Sequence, residues 1–263
     1  MKVLAIMGSP RKNGKGFQIV KKIEDQLKSY SEIDFEYVFL KDLNLELCRG
    51  CFQCIVQGEE KCPINDGQKQ LEAKMLEANG IIFCSPVYGL NVSGLMKIFI
   101  DRFSYNGHHP RFFKQNALFV ANTCGMGLKG ALNAMKFIAV WGFHVVGEIG
   151  IKWPHYKQSE KEQNKNEKLI TRASEKLYQN MIIETPKPQT NQVKHYCIMK
   201  TMMRSFKNYD KMFPGDLRYW EEKGWLKKET SFFYEAKLTL YQKVLAFFLR
   251  SFFRAVMPMM AGN

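Results

Sequence analysis

The sequence predicts an α/β protein built on a doubly wound parallel sheet. Short apolar segments alternate with amphipathic segments over the first 150 residues, which is typical of strands joined by crossover helices. Loops rich in Gly, Pro, Ser or Thr follow three of the apolar segments. The chain has 263 residues, of which 46% are hydrophobic, so it is long enough for one large domain with an extension.

Each element of this fold has its own local pattern. Apolar segments predict five strands, and amphipathic segments predict five helices between and after them. Because the strands are parallel, their carboxyl ends share one edge of the sheet, where such folds bind ligands. The predicted strands are 3–7, 35–40, 80–84, 117–121 and 143–149, and the predicted helices are 16–30, 68–78, 93–103, 127–141 and 160–183.

The loop after the first strand, residues 7–16, has the composition of an anion-binding loop. Gly8 and Gly14 let the backbone approach a ligand, Ser9 offers a hydroxyl, and three basic side chains add positive charge. The helix that follows contributes free backbone N–H groups and the positive end of its dipole. The spacing differs from a nucleoside-triphosphate loop, because five residues separate the two glycines and Gly16 replaces a hydroxyl residue. The loop therefore predicts a monophosphate site, and the alternative is a polar turn without a ligand.

Two further loops, 85–94 and 122–127, follow the third and fourth predicted strands. Both should lie at the same sheet edge as the first loop, where their backbone groups can surround a planar ligand with polar edges. Tyr88 could stack on such a ring or pack within the protein.

The three loops together resemble those of the flavodoxin-like NAD(P)H-dependent FMN reductase family, over about residues 1–180. The motifs are Gly8-Ser9-Pro10-Arg11-Lys12-Asn13-Gly14, Ser85-Pro86-Val87-Tyr88 and the Gly-rich third loop. The resemblance implies a flavodoxin-like five-stranded sheet in the order 2-1-3-4-5, with FMN at the strand ends and NAD(P)H as co-substrate. It also implies a homodimer. Lys15-Gly16 departs from many relatives, which have a hydroxyl residue there.

The resemblance assigns cofactor-binding roles by position. No side chain is assigned as catalytic, because the cofactor carries the redox step. The implied FMN-binding residues are Ser9, Arg11, Asn13 and Gly14 at the phosphate, Pro86, Val87, Tyr88 and Gly89 along the isoalloxazine, and Thr123, Cys124 and Gly125 at the ribityl chain or ring edge.

A run of four cysteines is the second strong signal. Cys48, Cys51 and Cys54 have two residues between neighbours, and Cys62 follows after seven more and precedes a proline. The spacing resembles the compact motif of the iron–sulfur flavoproteins, which share the flavodoxin-like fold, and implies a [4Fe–4S] cluster. Two alternatives stay open: free or redox-active thiols, as in reductases with a similar pattern, and zinc.

Residues 185–263 lie beyond what the minimal fold requires. Thr185-Pro186-Lys187-Pro188 predicts a boundary between a flavodoxin-like FMN-binding domain, 1–184, and a basic, mostly helical extension, 185–263. Segment 236–260 predicts a helix with a basic stripe and a wide apolar face. Such a helix fits a peripheral membrane contact, and the preferred alternative is packing on the protein itself or on a second subunit.

Composition narrows the function further. Residues 1–150 carry 18 Lys and Arg against 14 Asp and Glu, whereas residues 151–263 carry 21 against 11. No nucleic-acid motif, secretory signal or membrane span is recognisable, and seven cysteines suit a reducing cytoplasm, with any membrane contact at its inner face. The resemblance to the FMN reductases implies electron transfer from NAD(P)H to a small acceptor such as a quinone or flavin. The alternatives are an iron–sulfur carrier with a ferredoxin-like partner and a membrane-bound interaction protein.

Overall fold

A computed structural model describes residues 1–153 and 158–260, with side chains in the second range described as far as Val256. Five strands form a parallel sheet in the order β2-β1-β3-β5-β6, which confirms the predicted 2-1-3-4-5 arrangement. A sixth strand, β4, pairs antiparallel with the end of β3 and was not predicted. The strands are β1 (Lys2–Met7), β2 (Asp34–Phe39), β3 (Gly80–Tyr88), β4 (Asn91–Val92), β5 (Asn116–Thr123) and β6 (His144–Lys152).

β4 escapes prediction because it is only two residues long. Gly89 and Leu90 connect it to β3, and both have left-handed backbone angles, with φ of 54° and 63°. Two consecutive left-handed residues make the tight turn that matches the twist of a hairpin. The second predicted loop is therefore a hairpin rather than an irregular loop.

Helices cover both faces of the sheet and form the extension. The predicted helix 127–141 ends as an α-helix at Lys136 and continues as a 3-10 helix to Trp141. The last helix begins at Leu240 rather than at 236, because Thr239 and Gln242 cap it through reciprocal side-chain-to-backbone bonds. The helices are α1 (Lys15–Tyr30), α2 (Gln53–Val56), α3 (Gln68–Glu77), α4 (Gly94–Arg102), α5 (Leu128–Lys136), α6 (Glu160–Met181), α7 (Thr190–Ser205), α8 (Tyr209–Met212), α9 (Pro214–Glu222) and α10 (Leu240–Met260).

Three apolar clusters form the core. Alternate residues of β1 point to opposite faces, so Leu4 belongs to the cluster under α3, α4 and α5, and Val3 to the cluster under α1 and α6. The third cluster lies in the extension, around Trp220 and Trp225. Phe113 packs against this third cluster and joins it to the rest of the protein.

Candidate functional site

The first two predicted loops are locked together at the carboxyl ends of β1 and β3. The Gly8 N–H donates to the Cys84 carbonyl at 2.8 Å, and the Ser93 hydroxyl donates to the Gly8 carbonyl at 2.6 Å. The Ser93 N–H in turn donates to the buried Ser85 hydroxyl at 3.0 Å. These bonds use backbone groups on the first loop, which leaves its side chains free to face a ligand.

The third loop closes on itself and packs on the β3–β4 hairpin. Thr123 Oγ1 accepts from the Gly125 N–H at 3.1 Å and donates to the Met126 carbonyl at 3.0 Å. A Cβ at Gly130 would lie only 2.2 Å from the Leu90 carbonyl oxygen, so the start of α5 lies directly against the hairpin. The three loops therefore form one continuous rim.

A cleft of about 690 Å³ opens between these loops and the start of α6. Its size is within the usual range for cofactor sites. Three of the predicted cofactor residues, Asn13, Gly89 and Gly125, do not line it. The predicted residues that line it are Ser9, Arg11, Gly14, Pro86, Val87, Tyr88, Thr123 and Cys124. The other lining residues are Lys15, Gly16 and Asn122, which lie in the predicted loops, and seven that the sequence did not indicate: Lys22, Trp153, Gln158, Gln163, Asn166, Glu167 and Ile170.

One end of the cleft has the chemistry of an anion site. The first turn of α1 has no acidic residue and no side-chain cap, so its N–H groups and dipole are available to a ligand. Ser9 is buried, and its hydroxyl accepts from the Arg11 N–H at 3.1 Å, which fixes the loop. Lys15 Nζ lies 4.4 Å above the Trp153 ring, at the side of the cleft. These donors fit a phosphate group.

Gly16 lets the start of α1 pack closely on the strands. A Cβ at this position would lie 3.0 Å from Asn122 Oδ1 and 3.2 Å from Cys84 Sγ, so these two side chains would have to shift to admit a larger residue. Asn122 Oδ1 itself is buried and has no hydrogen-bond partner within the part of the chain that the structure describes. An unpaired buried acceptor beside the cleft suits a ligand that donates a hydrogen bond. Its position next to Thr123 in the third loop was the signal that could have identified it.

The far rim of the cleft is apolar and open to solvent. Tyr88 and Leu90 on the hairpin and Met126 on the third loop are all exposed. Leu90 is also held in a left-handed conformation that is unfavourable for a branched side chain. An exposed apolar rim beside a polar cleft is suited to a flat ring and to a second molecule stacked on it.

The four predicted cysteine ligands line one small cavity of about 40 Å³, together with residues at the end of α4. Burial, with like-charge repulsion from the nearby Cys62, Cys48 and Cys51, raises the pKa of the Cys54 thiol to about 11. Arg102 Nη1 donates to Cys62 Sγ at 3.3 Å. The fold thus gathers all four thiols and places one cation against them.

The spacing of these thiols is wider than a single ion requires. Within residues 1–153 and 158–260, no group of three or more Cys, His, Asp or Glu side chains is close enough to hold one metal ion. A zinc site needs four sulfurs about 2.3 Å from one centre. A four-iron cluster instead binds each cysteine at a different iron, so its ligands are spread around a larger body. Four thiols that line one cavity are a donor set that both kinds of site use.

Arg102 is fixed by a buried ion pair with Asp66. Arg102 Nη2 lies 2.9 Å from Asp66 Oδ1, and both side chains are almost completely buried. Burial by itself would raise the pKa of Asp66, but hydrogen bonds from Arg102 and from the Glu46 and Gln68 N–H groups outweigh it, and the pKa is lowered. The same carboxylate thus accepts hydrogen bonds from Arg102, from the Glu46 N–H and from the first N–H group of α3.

The extension holds residues 48–62, the cysteine segment, from outside. His109 is buried, with Nδ1 2.9 Å from Glu59 Oε2 in the cysteine segment and Nε2 2.9 Å from Asp216 Oδ1 on α9. Asp216 is fully buried and also faces His108 Nδ1 at 2.6 Å, while Tyr209 donates to it at 2.6 Å. Neither His109 nor Asp216 belongs to a sequence pattern that predicts this contact.

The charges in this network support each other. Burial would lower the pKa of His109, but pairing with Asp216 and Glu59 outweighs it, and the pKa is raised. Burial would raise the pKa of Glu59, but His109 and Arg111 lower it to about 2. His109, held between two carboxylates, therefore joins α9 to the cysteine segment.

Backbone packing adds to this link. A Cβ at Gly215 would lie 2.6 Å from the Ile55 carbonyl oxygen and 2.9 Å from the Val56 carbonyl oxygen. Because no Cβ fits at those distances, α9 can lie against α2 only with glycine at this position.

The parallel sheet, the anion-binding end and the cleft at the strand ends define a flavodoxin-like cofactor-binding protein. Residues 1–158 match the NADPH-dependent FMN reductase family, and the chain belongs to this family. Its members are NAD(P)H-dependent flavin oxidoreductases that use FMN, and this predicted class of enzyme is confirmed.

The chain is also similar to proteins named iron–sulfur flavoproteins. It is 27% identical to one from Archaeoglobus fulgidus over 231 residues, which cover 86% of this chain and 100% of the relative. It is 26% identical to one from Clostridioides difficile, with 85% and 99% covered. It is 35% identical to one from Methanosarcina thermophila, with 58% and 83% covered.

Solved structures support the fold. A flavone reductase aligns with a TM-score of 0.53 at 19% identity, covering 71% of this chain and 66% of that one. An NAD(P)H:quinone oxidoreductase from Methanothermobacter marburgensis aligns with a TM-score of 0.52 at 13% identity, covering 66% and 97%. Among the described residues, no helix is both long enough and apolar enough to pass through a bilayer.

Proposed function

We propose that the protein passes electrons from NAD(P)H through FMN to a small acceptor such as a quinone or a flavin. The observation that carries this proposal is the cleft, which has uncapped N–H groups at one end and an exposed apolar rim at the other. A phosphate suits the first end, and a flat aromatic ring suits the second. FMN, when bound, supplies the redox chemistry by accepting two electrons from a nicotinamide and releasing them to the acceptor.

The residues of the chain bind and orient the cofactor in this proposal. The loop after β1 and the N-terminus of α1 bind the phosphate, and the hairpin and third loop hold the ring and ribityl chain. Asn122 also lines the cleft, and its Oδ1 has no hydrogen-bond partner among the described residues, so we include this side chain among those that face the cofactor. The proposed set is Ser9, Arg11, Asn13 and Gly14, then Pro86, Val87, Tyr88 and Gly89, and then Thr123, Cys124 and Gly125, which extends the lining by three neighbouring residues.

The rim residues favour an apolar acceptor. Tyr88, Leu90 and Met126 offer exposed apolar surface beside the cleft, so they would stack on a planar molecule rather than bind a small ion. The nicotinamide and the acceptor would then use the same place in turn.

Anaerobic absorbance spectroscopy tests this proposal. Protein purified without oxygen should show the two-banded spectrum of FMN, which NADH or NADPH should bleach and a quinone should restore. A colourless protein that does not take up added FMN would refute the proposal.

A second candidate function, an iron–sulfur electron carrier, is favoured by the cysteine cavity. We propose that Cys48, Cys51, Cys54 and Cys62 hold a [4Fe–4S] cluster, which supplies one-electron transfer to a ferredoxin-like partner. Support comes from the shared cavity and from the Arg102 guanidinium, which places a positive charge against the Cys62 sulfur.

Iron and sulfide analysis separates the outcomes for these four thiols. Cys51→Ser should lower iron content and remove the broad brown absorption, whereas Cys124→Ser, another exposed thiol, should not. Zinc in place of iron, or four freely alkylated thiols after anaerobic purification, would exclude the cluster. Rapid bleaching of the flavin by NAD(P)H supports the reductase, and reduction only by ferredoxin supports the carrier.

We also propose the organisation in which this chemistry takes place. Residues 1–184 form the FMN-binding domain, and residues 185–263 form an extension with its own apolar cluster. A homodimer would cover Leu47 and Phe52, two large exposed apolar side chains that are five residues apart in the chain. The mass of the protein in solution tests this. All seven cysteines are free, which suits the cytoplasm.

A further inference from the structure

α10 carries a continuous apolar face that the rest of the described chain leaves uncovered. Six large apolar side chains along it are 46% to 79% exposed. They recur every three or four residues, so they lie on one side of the helix. The six are Leu240, Tyr241, Val244, Phe247, Phe248 and Phe252.

The opposite side of α10 is fixed to the extension. Ala246 is buried and Leu249 partly buried against α7 in the third apolar cluster. Gln242, also buried, donates to the Pro188 carbonyl at 2.7 Å. Only one side of α10 therefore packs on the protein itself, as the preferred prediction has it. Most of the aromatic side chains of the helix are exposed.

Basic residues border this face. At 100° per residue, Lys243 and Arg254 fall together beside Phe247, at the edge of the apolar stripe. Both are exposed, and α10 contains Arg250 as a third cation and no acidic residue. In a membrane surface, such an apolar stripe can contact the acyl chains while the exposed cations at its edge contact anionic headgroups.

We propose that α10 docks the protein on an anionic lipid surface, lying in the interface with Phe247, Phe248 and Phe252 among the acyl chains. Lys243 and Arg254 remain at headgroup level and pair with phosphate or carboxylate groups. A second copy of the chain fits this face less well, because two copies would bring only cations together along its edge. The docking does not depend on the redox chemistry, so it adds a location to the proposed function.

Vesicle flotation of the full chain tests this proposal. The probes are phosphatidylcholine vesicles with and without phosphatidylserine. The chain should float with the anionic vesicles and much less with the neutral ones. Phe247→Ser, Phe248→Ser and Phe252→Ser combined should reduce partitioning more than about tenfold. Lys243→Gln and Arg254→Gln should each reduce partitioning onto anionic vesicles about fivefold. Raising the salt concentration should also reduce this partitioning.

A matched control is available in the same chain. Leu76→Ser and Ile183→Ser also remove exposed apolar side chains, but on other elements, and should leave flotation unchanged. Bound FMN and the unfolding midpoint should be equal in all these variants, which shows that they fold. Absence of flotation by the unaltered chain would overturn the proposal. So would a triple variant that floats normally, or one that only converts a dimer to a monomer, since the face would then belong to a second copy.

Discussion

The cleft is built mainly from backbone, whereas the cysteine segment is held by side chains from distant parts of the chain. The three loops of the cleft continue from paired strands, and bonds such as Gly8 N–H to Cys84 O fix them. Residues 48–62 contain one short α-helix, one 3-10 turn at Glu59–Lys61 and no strand. Their position depends on His109, Asp216 and the glycine contact of α9.

Because different parts of the chain hold the two sites, we expect different substitutions to disrupt FMN binding and the cysteine segment. Changes in α9 should loosen the cysteine segment without affecting FMN, and changes in the phosphate loop should weaken FMN without exposing the thiols. Each of the following variants is a way to test that separation.

The largest effect is expected from Asp216→Asn. It removes a fully buried carboxylate and leaves His109 with one carboxylate partner, which should lower the free energy of unfolding by about 3–5 kcal/mol. Urea unfolding measures this, and alkylation of Cys54 should become faster. Asp210→Asn, an exposed change on the adjacent helix α8, is the control. Slow alkylation in Asp216→Asn would show that α9 does not hold the segment.

Gly215→Ala should have a smaller effect of the same kind. Its Cβ would force α9 away from the Ile55 and Val56 carbonyls, at a loss of about 1–3 kcal/mol. Gly94→Ala meets nothing within 4 Å and serves as the matched glycine change. Hydrogen exchange in residues 53–58 should rise only in Gly215→Ala. Equal exchange in both variants would argue against the backbone contact.

Arg11→Gln alters the cleft and leaves the contacts of the cysteine segment intact. Arg11 lines the cleft, so losing its charged hydrogen bonds should weaken FMN binding on the order of 10- to 100-fold. Lys12→Gln removes the same charge from the same loop, but Lys12 pairs with Asp42 at 2.7 Å, and FMN affinity should change little. Titration of FMN fluorescence measures both. Similar losses would mean that the loop acts only through its net charge.

The smallest effect is a pH dependence. The pKa of His109 is raised in the fold, so its stabilisation is complete below its unfolded value of 6.5 and is lost as the pH rises through the folded value. Burial lowers the pKa values of His144 and His195, so these two act in the opposite direction, because unfolding lets them take up protons at pH 6 but not at pH 9. From pH 6 to pH 9 the free energy of unfolding should therefore change more towards instability in the natural chain than in His109→Gln, in which the other two histidines are unchanged. Parallel curves would contradict the raised pKa of His109.

Local patterns predicted much of the fold and of the cleft. The apolar segment 3–7, the glycines after it and the amphipathic helix are neighbours in the chain, so their structure follows from short-range preferences. The same holds for the loops after β3 and β5, and for Cys48 to Cys62, whose spacing shows that they can meet. β4 escaped because two residues show no period, and its turn depends on Leu90 in an unusual conformation.

Other features have no local signature. Trp153 and the start of α6 line the cleft only because β6 lies beside β5 in the folded sheet. Asn122 can be seen as a polar loop residue, but the lack of a partner for its Oδ1 depends on the packing around Gly16. His108 and Asp216 meet across 108 residues of sequence.

The sequence by itself determined the sheet, the anion-binding loop and the set of four thiols, because each arises from residues close together in the chain whose spacing sets their geometry. Two features could be seen only in the folded protein: which side of α10 is covered, and the contact by which α9 holds the cysteine segment. Burial depends on which surfaces meet after folding, and a buried charge such as that of Asp216 is stable only when distant residues supply its partners.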